Sequence, residues 1–323
     1  VRTQADGGSA DSLTQRKRIP WSIRKAGLTA GEKSTLVWEA PNTYRGSIPT
    51  THGGTNLQWA RPDRIVFTSY HDGWPHAYSV APAGGAALLL SPGEFMVEHL
   101  SVSADGNSIY FDANTGSDVT DKDRRHICQV SVDKADMKVL TPGTGIEWSA
   151  VSVVGAYAYI GAGAQKSPQL MLATSSGTKS LTESFIPVEF PTSSLVEPKQ
   201  VIFKSLDGLT IHGQIFDNSN GTQKKPAIIF VHGGPPRQML LGWHYSDYYA
   251  NAYALNQYLA NQGFVVLSVN YRLGIGYGYD FHNPKSAGQW GASEYLDIKA
   301  AGEWLAQQSF VDAKKIGLYG GSY

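Results

Sequence analysis

The sequence predicts two units of different class: an all-β unit of β-propeller type, present in part, followed by a doubly wound, mostly parallel α/β sheet, also present in part. Three observations carry this. Short aromatic and β-branched runs bounded by turn residues fill positions 34 to about 185, which is strand grammar. Within that stretch a turn motif recurs at a period of about 42 residues, in the range of propeller blades. From about residue 198 the pattern changes to strand, helix, strand, helix, strand, the signature of a parallel sheet. The boundary is placed at residue 190, giving units 1–190 and 191–323.

The blade strands are Ile65-Val66-Phe67-Thr68, Ala77-Tyr78-Ser79-Val80, Ile109-Tyr110-Phe111-Asp112, Ile127 to Val132 and Ala156 to Ile160. Leu90-Ser91-Pro92-Gly93 matches Leu140-Thr141-Pro142-Gly143 and, more weakly, Leu181-Thr182-Glu183. Arg61-Pro62-Asp63 and Ser103-Ala104-Asp105-Gly106 open successive units. The count is about three blades, plus part of an earlier one around Trp21-Ser22-Ile23 and Leu36-Val37-Trp38. A closed propeller takes at least about four blades, so further blades are expected upstream. A β-sandwich with accidental repetition is the competing reading.

In the second unit Asp207-Gly208 separates two strand-like runs, a hairpin signal. Pro226 to His232 and Phe264 to Val269 are continuous apolar runs, the kind buried on both faces of a parallel sheet. Helices are expected over about 248–261 and about 292–308. In the second, Tyr295, Ile298, Gly302 and Leu305 share one face, and Glu294, Asp297 and Lys299 read as solvent-side charges. Ile316 to Tyr319 forms the last strand, expected at an open sheet edge.

Composition narrows the function classes. The chain has 323 residues, 41% hydrophobic, with 27 basic against 27 acidic side chains. That balance argues against nucleic acid or an anionic membrane as the main partner. No run of about 18 apolar residues occurs, so no membrane-spanning helix is expected. The single cysteine, Cys128, excludes an internal disulfide and leaves both cytoplasmic and exported locations open. The chain begins with Val and no signal-peptide pattern follows, as expected if a leader has been removed or the N-terminus cut. The sequon Asn220-Gly221-Thr222 reads as a chance match. No metal or cofactor motif stands out.

Two motifs carry chemistry. Gly320-Gly321-Ser322-Tyr323 ends the chain after a strand. It supplies four positions of the G-x-S-x-G elbow, a sharp turn that lifts a serine hydroxyl above a sheet. The other is Val231-His232-Gly233-Gly234-Pro235, at the end of the earlier buried strand. Glycines let a loop present backbone N–H groups without a side chain in the way. Such a loop supplies one oxyanion donor in α/β-hydrolases, the residue after the nucleophile the other. The candidates are therefore Ser322 as nucleophile, with the amides of Gly234 (or Gly233) and Tyr323 as oxyanion donors. His232 is a poor candidate for the base, because in this fold the triad runs Ser, Asp/Glu, His in chain order. His244, His282 and Asp280 read as surface or pocket-wall residues.

With these residues in view the chain resembles the prolyl oligopeptidase family of serine peptidases, in particular its acylaminoacyl-peptidase and dipeptidyl-peptidase-like branches. The matching stretches are Val196-Glu197-Pro198, Ser205 to Gly213, His232 to Pro235, Asn270 to Gly278, Trp290 to Asp297, and Gly320 to Tyr323. The resemblance implies a propeller that caps the active site and admits short peptides. It implies attack by Ser322 on the peptide carbonyl, no cofactor, and a substrate cavity bordered by Tyr271, Arg272 and Tyr277. The triad Asp and His of the family have no counterpart before residue 323 and are expected beyond it. A paired-glutamate grip on a free N-terminus is represented only by Glu94 and Glu98, so aminopeptidase, dipeptidyl-peptidase and oligopeptidase activities stay open. So do an esterase on the same fold and a non-catalytic binding protein. The expected outcome for the isolated 323-residue chain is inactivity: a chromogenic peptide should show no turnover that Ser322→Ala removes, since only the oxyanion loop and binding would act.

Overall fold

The computed structural model describes residues 18–47, 51, 54–116, 118, 120–218, 223–284 and 293–322. The sequon Asn220-Gly221-Thr222, the stretch Trp290-Gly291-Ala292 and Tyr323 lie, in whole or part, outside them.

The first half is a succession of antiparallel sheets. Strands β1 (Ser22–Lys25) and β2 (Thr35–Glu39) form a two-stranded ribbon. Three four-stranded sheets follow, each a simple meander in chain order. The first holds β3 (Gln58–Arg61), β4 (Arg64–Ser69), β5 (His76–Val80) and β6 (Leu88–Leu89). The second holds β7 (Val97–Val102), β8 (Ser108–Ala113), β9 (His126–Ser131) and β10 (Lys138–Val139). The third holds β11 (Ile146–Val153), β12 (Ala156–Ala162), β13 (Gln169–Thr174) and β14 (Gly177–Ser180). Consecutive sheets bury their faces on one another. Ile23, Val37 and Trp38 meet Phe67 and Val80. Val66 and Ala77 meet Phe111 and Cys128, and Tyr110 and Ile127 meet Ala150 and Tyr159.

The recurrent Leu-Ser/Thr dipeptide has a structural cause. The Leu90 N–H donates to Ala77 O at 2.9 Å, while Ser91 Oγ accepts the Ala77 N–H at 2.9 Å. Leu140 and Thr141 treat Ile127 the same way, at 2.7 and 2.8 Å. Leu181 and Thr182 do so to Leu170, at 2.8 and 3.0 Å. In each sheet a hydroxyl thus replaces a backbone carbonyl and closes the outer strand one rung past its last ladder bond, satisfying a donor that would otherwise be orphaned. The prolines that follow Ser91 and Thr141 cost nothing, because no further N–H is required there.

The second half is one five-stranded sheet in the order β15 (Lys199–Lys204), β16 (Thr210–Phe216), β18 (Val265–Asn270), β17 (Lys225–Val231), β19 (Val311–Gly320). β15 and β16 form the predicted hairpin, with Gly208 at φ +89° in the turn. β16 runs antiparallel to β18, whereas β17 is parallel to both β18 and β19. The predicted strand–helix–strand stretch is thus the parallel part, and the hairpin makes the sheet mixed. β19 lies at the edge of the described sheet, as predicted. Helix α1 (Asp247–Asn261) covers one face through Tyr253 and Ala260 against Phe216 and Val266. The short helix α2 (Tyr279–His282) follows β18, and α3 (Tyr295–Ala306) covers the other face through Ala300, Ala301 and Leu305. Of the face predicted for α3, Leu305 is buried and Tyr295 is 63% exposed. Asp297, read from sequence as a solvent charge, is fully buried. It caps the N–H of Arg272 and pairs with its guanidinium, a long-range partnership that helical periodicity does not register.

Asp123, from the loop between β8 and β9, locks the two halves together. It is fully buried and accepts from Gln214 Nε2 at 3.0 Å, Gln238 Nε2 at 3.2 Å and the Tyr277 hydroxyl at 2.5 Å. Its own carbonyl accepts the Leu241 N–H at 3.0 Å. Asn114 Nδ2 donates to Gly276 O at 2.7 Å beside it.

His126 makes the second sheet sensitive to pH. Its side chain is 1% exposed, with Nδ1 3.1 Å from Glu147 and Nε2 3.8 Å from Asp121. Burial opposes its charge, but the hydrogen bonds and charges of Asp121 and Glu147 outweigh burial and raise its pKa from 6.5 to about 9. A pKa raised in the fold stabilises below the unfolded value and loses that contribution as pH climbs through the folded one. The expected outcome is a falling melting temperature between about pH 6.5 and 9, worth at most about 3 kcal/mol, and a flatter profile in His126→Gln, measured by thermal melts across that range.

Candidate active site

The candidate residues gather at one end of the parallel strands. Val231 and Gly320 are register partners at the ends of β17 and β19. Neighbouring strands lie about 4.8 Å apart, so the chains leaving them, His232-Gly233-Gly234 and Gly321-Ser322, start side by side. Ser322 is exposed and takes φ +76°. A non-glycine residue in that left-handed region is strained, and such strain concentrates at functional sites.

The two glycines before it are required by space. A Cβ at Gly320 would lie 2.4 Å from the Val231 carbonyl oxygen, and one at Gly321 would lie 2.2 Å from the Tyr248 hydroxyl. Tyr248 opens the second residue of α1, and Asn256 on the same helix accepts the Tyr319 hydroxyl at 2.6 Å. The helix therefore braces both the last strand and the turn beyond it.

The glycine loop is held from behind by two tyrosines. The Tyr271 hydroxyl donates to His232 O and the Tyr249 hydroxyl to Gly233 O, each at 2.8 Å. Gly234 takes φ +86° and is exposed, while Gly233 is buried. The His232 ring stacks on Tyr271 at 4.4 Å and meets Tyr249 edge-on at 6.4 Å. Its Nδ1 lies 3.2 Å from Gly233 O. Complete burial pulls its pKa down to about 4, so the ring is neutral near pH 7 and acts as packing for the loop.

The three predicted cavity residues are each engaged by neighbouring side chains or backbone. Tyr271 is 1% exposed and belongs to the loop support. Arg272 is the buried centre of an ion cluster with the buried Asp297 and the exposed Asp207. Its Nε bonds Asp297 at 2.9 Å, its Nη2 bonds Asp297 at 2.6 Å, Asp207 at 2.8 Å and Ser205 at 3.0 Å, and its Nη1 bonds Asp207 at 2.6 Å. Hydrogen bonding from Arg272 holds Asp207 down at about 2. Tyr277 stacks on His212 at 4.3 Å and gives its hydroxyl to Asp123; burial raises it well above an ordinary tyrosine. Glu98 is buried against Arg125 at 2.6 Å and Tyr245 at 3.1 Å, whereas Glu94 is exposed. His244 is buried and pulled down to about 3 by burial. Asp280 pairs with Arg45 in the open. Among the described residues no three potential metal ligands cluster. The sequence reading missed Tyr248, Tyr249 and Asn256; Tyr249 and Tyr253 at i, i+4 on one helix were the available signal.

A run of antiparallel sheets stacked on one another is thus joined, through buried polar contacts, to an α/β sheet whose strand ends bear a serine turn and a glycine loop. The chain is similar to the prolyl oligopeptidase family: residues 251–323 match that family's model, and residues 27–164 match the dipeptidyl peptidase IV N-terminal region. It is 37% identical over 98 residues to dipeptidyl aminopeptidase BIII of Pseudoxanthomonas mexicana, covering 30% of this chain and 13% of that protein. It is 25% identical over 302 residues to a probable dipeptidyl-aminopeptidase B of Aspergillus terreus, covering 88% of this chain and 31% of that one. A puromycin-hydrolyzing peptidase of Mycobacterium tuberculosis superposes with a TM-score of 0.75 at 18% identity, over 93% of this chain and 45% of its own. The chain thus spans less than half the length of these relatives.

The glycines yield a graded prediction. Gly320→Ala should lower stability by about 2 kcal/mol or more, because it meets a backbone carbonyl inside the sheet. Gly321→Ala should cost less, because Tyr248 is 57% exposed and can swing aside. Denaturant melts of the two variants check the order.

Proposed function

We propose that this chain supplies the nucleophile and the oxyanion loop of a serine peptidase that cleaves short peptides through an acyl-enzyme. The observation that carries the reading is Ser322: exposed, at φ +76°, at the end of a strand parallel to the one that ends in the glycine loop. Strain of this kind is the mark of a nucleophile elbow. In this reading residues 1–190 are a partial β-propeller and residues 191–323 the first half of an α/β-hydrolase unit.

Ser322 Oγ attacks the scissile carbonyl carbon, and the carbonyl oxygen becomes an oxyanion. The N–H of Gly234 or Gly233 and the N–H of Tyr323 donate to it. Each such donor accounts for roughly a hundred- to a thousandfold in rate. The proton on Oγ must pass to a base, and His232, buried and neutral, is unsuited to take it. In chain order the base and its carboxylate partner follow the nucleophile. Collapse of the tetrahedral intermediate breaks the C–N bond, the amine leaves with a proton, and water then hydrolyses the acyl-serine.

The family, whose relatives carry dipeptidyl aminopeptidase and acylamino-acid-releasing names, supports a peptide over a simple ester. The test uses the longest natural polypeptide containing this sequence. A fluorophosphonate should form an adduct that mass spectrometry maps to Ser322, and Ser322→Ala should reduce peptide turnover by roughly a millionfold. An adduct elsewhere, undiminished turnover in Ser322→Ala, or turnover of esters alone would overturn the assignment.

A further inference from the structure

Tyr249 and Tyr271 stand out among the buried polar side chains, because both spend their hydroxyls on one short loop, on consecutive carbonyls. In a trans peptide the C=O and the N–H of one plane point in opposite directions, and no cis bond occurs among the described residues. The His232 carbonyl shares its plane with the Gly233 N–H, and it is turned toward the Tyr271 hydroxyl at 2.8 Å. The Gly233 carbonyl shares its plane with the Gly234 N–H, and it is turned toward the Tyr249 hydroxyl at 2.8 Å. Fixing both carbonyls on the buried side turns both N–H groups the other way. Gly234, at φ +86°, has no side chain to hold the loop in place by packing. The His232 Nδ1, 3.2 Å from Gly233 O, adds a contact from within the loop, and the two tyrosines hold the planes from outside it.

The two partners come from different elements. Tyr271 follows β18, and its ring also stacks on His232 at 4.4 Å. Tyr249 sits in the first turn of α1, next to Tyr248, the residue a Cβ at Gly321 would strike. One helix turn thus touches both the glycine loop and the serine turn, and so sets the distance between them. Tyr253, one turn further along α1, sends its hydroxyl away from this site, to Ala164 O at 2.7 Å in the third antiparallel sheet.

We propose that Tyr249 and Tyr271 are positioning residues that aim the Gly233 and Gly234 amides at the oxyanion; this rests on the nucleophile assignment to Ser322. Neither hydroxyl touches the substrate. Their effect is on where the donors point, and it is felt when charge develops on the carbonyl oxygen, not when the substrate binds. Loss of either hydroxyl removes a hydrogen bond from a buried carbonyl and loosens its peptide plane, with the His232 ring nitrogen, 3.2 Å away, still beside Gly233 O.

The experiment compares Tyr249→Phe, Tyr271→Phe and the control Tyr253→Phe in the longest natural polypeptide containing this sequence, beside Ser322→Ala. All three lose one buried hydroxyl and should melt a few degrees lower. Tyr249→Phe and Tyr271→Phe should each lower kcat roughly ten- to a hundredfold with KM within about twofold. Affinity for a peptidyl boronate, which forms a tetrahedral adduct on serine, should fall in parallel, while Tyr253→Phe keeps kcat within about twofold. If either Phe variant is too unstable to assay, the other decides alone. Turnover that depends on Ser322 but is unchanged in the Phe variants, or a loss confined to KM, overturns the positioning role and leaves the nucleophile standing. Turnover that survives Ser322→Ala overturns the nucleophile and this role with it.

Discussion

The buried carboxylate of Asp123 is the constraint on which the relation of the two halves depends. A carboxylate withdrawn from water costs several kcal/mol unless its oxygens are filled. Here the donors come from β16, through Gln214, from the segment after β17, through Gln238, and from the segment after β18, through Tyr277. Each donor lies in a different piece of the α/β sheet, while Asp123 belongs to the antiparallel half. Sliding or tilting one half against the other would break several of these bonds together. The Asn114 to Gly276 and Leu241 to Asp123 bonds repeat the constraint with backbone partners. The orientation of the two halves is therefore held by polar satisfaction beside the apolar contact of Ile146, Trp148 and Ala162 with Leu240, and the segment that follows β17 is fixed by the same network.

That segment is where the chemistry lies. The glycine loop begins one residue after β17 and runs within a few residues into Gln238, which is bonded to Asp123 and to the Lys122 carbonyl at 2.8 Å. Met239 and Asn270 exchange two hydrogen bonds, at 2.6 and 3.0 Å, and Asn270 also donates to Tyr277 at 2.8 Å. The loop is thus clamped at its far end by the inter-unit network and at its near end by the sheet, with Tyr249 and Tyr271 between. Arg272 performs a related task on the opposite side. Its cluster ties the β15–β16 hairpin, the end of β18 and helix α3 to one guanidinium. Breaking such a buried pair costs more than its formation contributes, which holds the chain around Tyr271 in one place.

Much of this was legible in the residues. The aromatic runs of the first half are strands within a residue or two of their predicted ends, and the Leu-Ser/Thr repeat marked the same rung in three sheets. Helix α1, expected over about 248–261, spans Asp247–Asn261. The hairpin at Asp207-Gly208 followed from turn chemistry. Asp297 was misread because one half of a buried ion pair looks, in sequence, like a surface charge: its partner Arg272 is 25 residues away. The antiparallel attachment of β16 beside β18 was likewise invisible, since strand order is decided by which faces can be covered.

The sequence by itself determined the local grammar: which runs are strands, where glycine is needed, and that a serine and a glycine loop each follow a strand. Those properties depend on neighbours in the chain, on backbone freedom and on side-chain alternation. Tertiary structure alone decided that the two strand ends lie side by side, that Ser322 takes a strained left-handed conformation, and that Tyr249 and Tyr271 hold the loop's carbonyls. The reason is physical. Peptide-plane orientation and polar satisfaction are set by partners tens of residues away, and only packing brings those partners within hydrogen-bond reach.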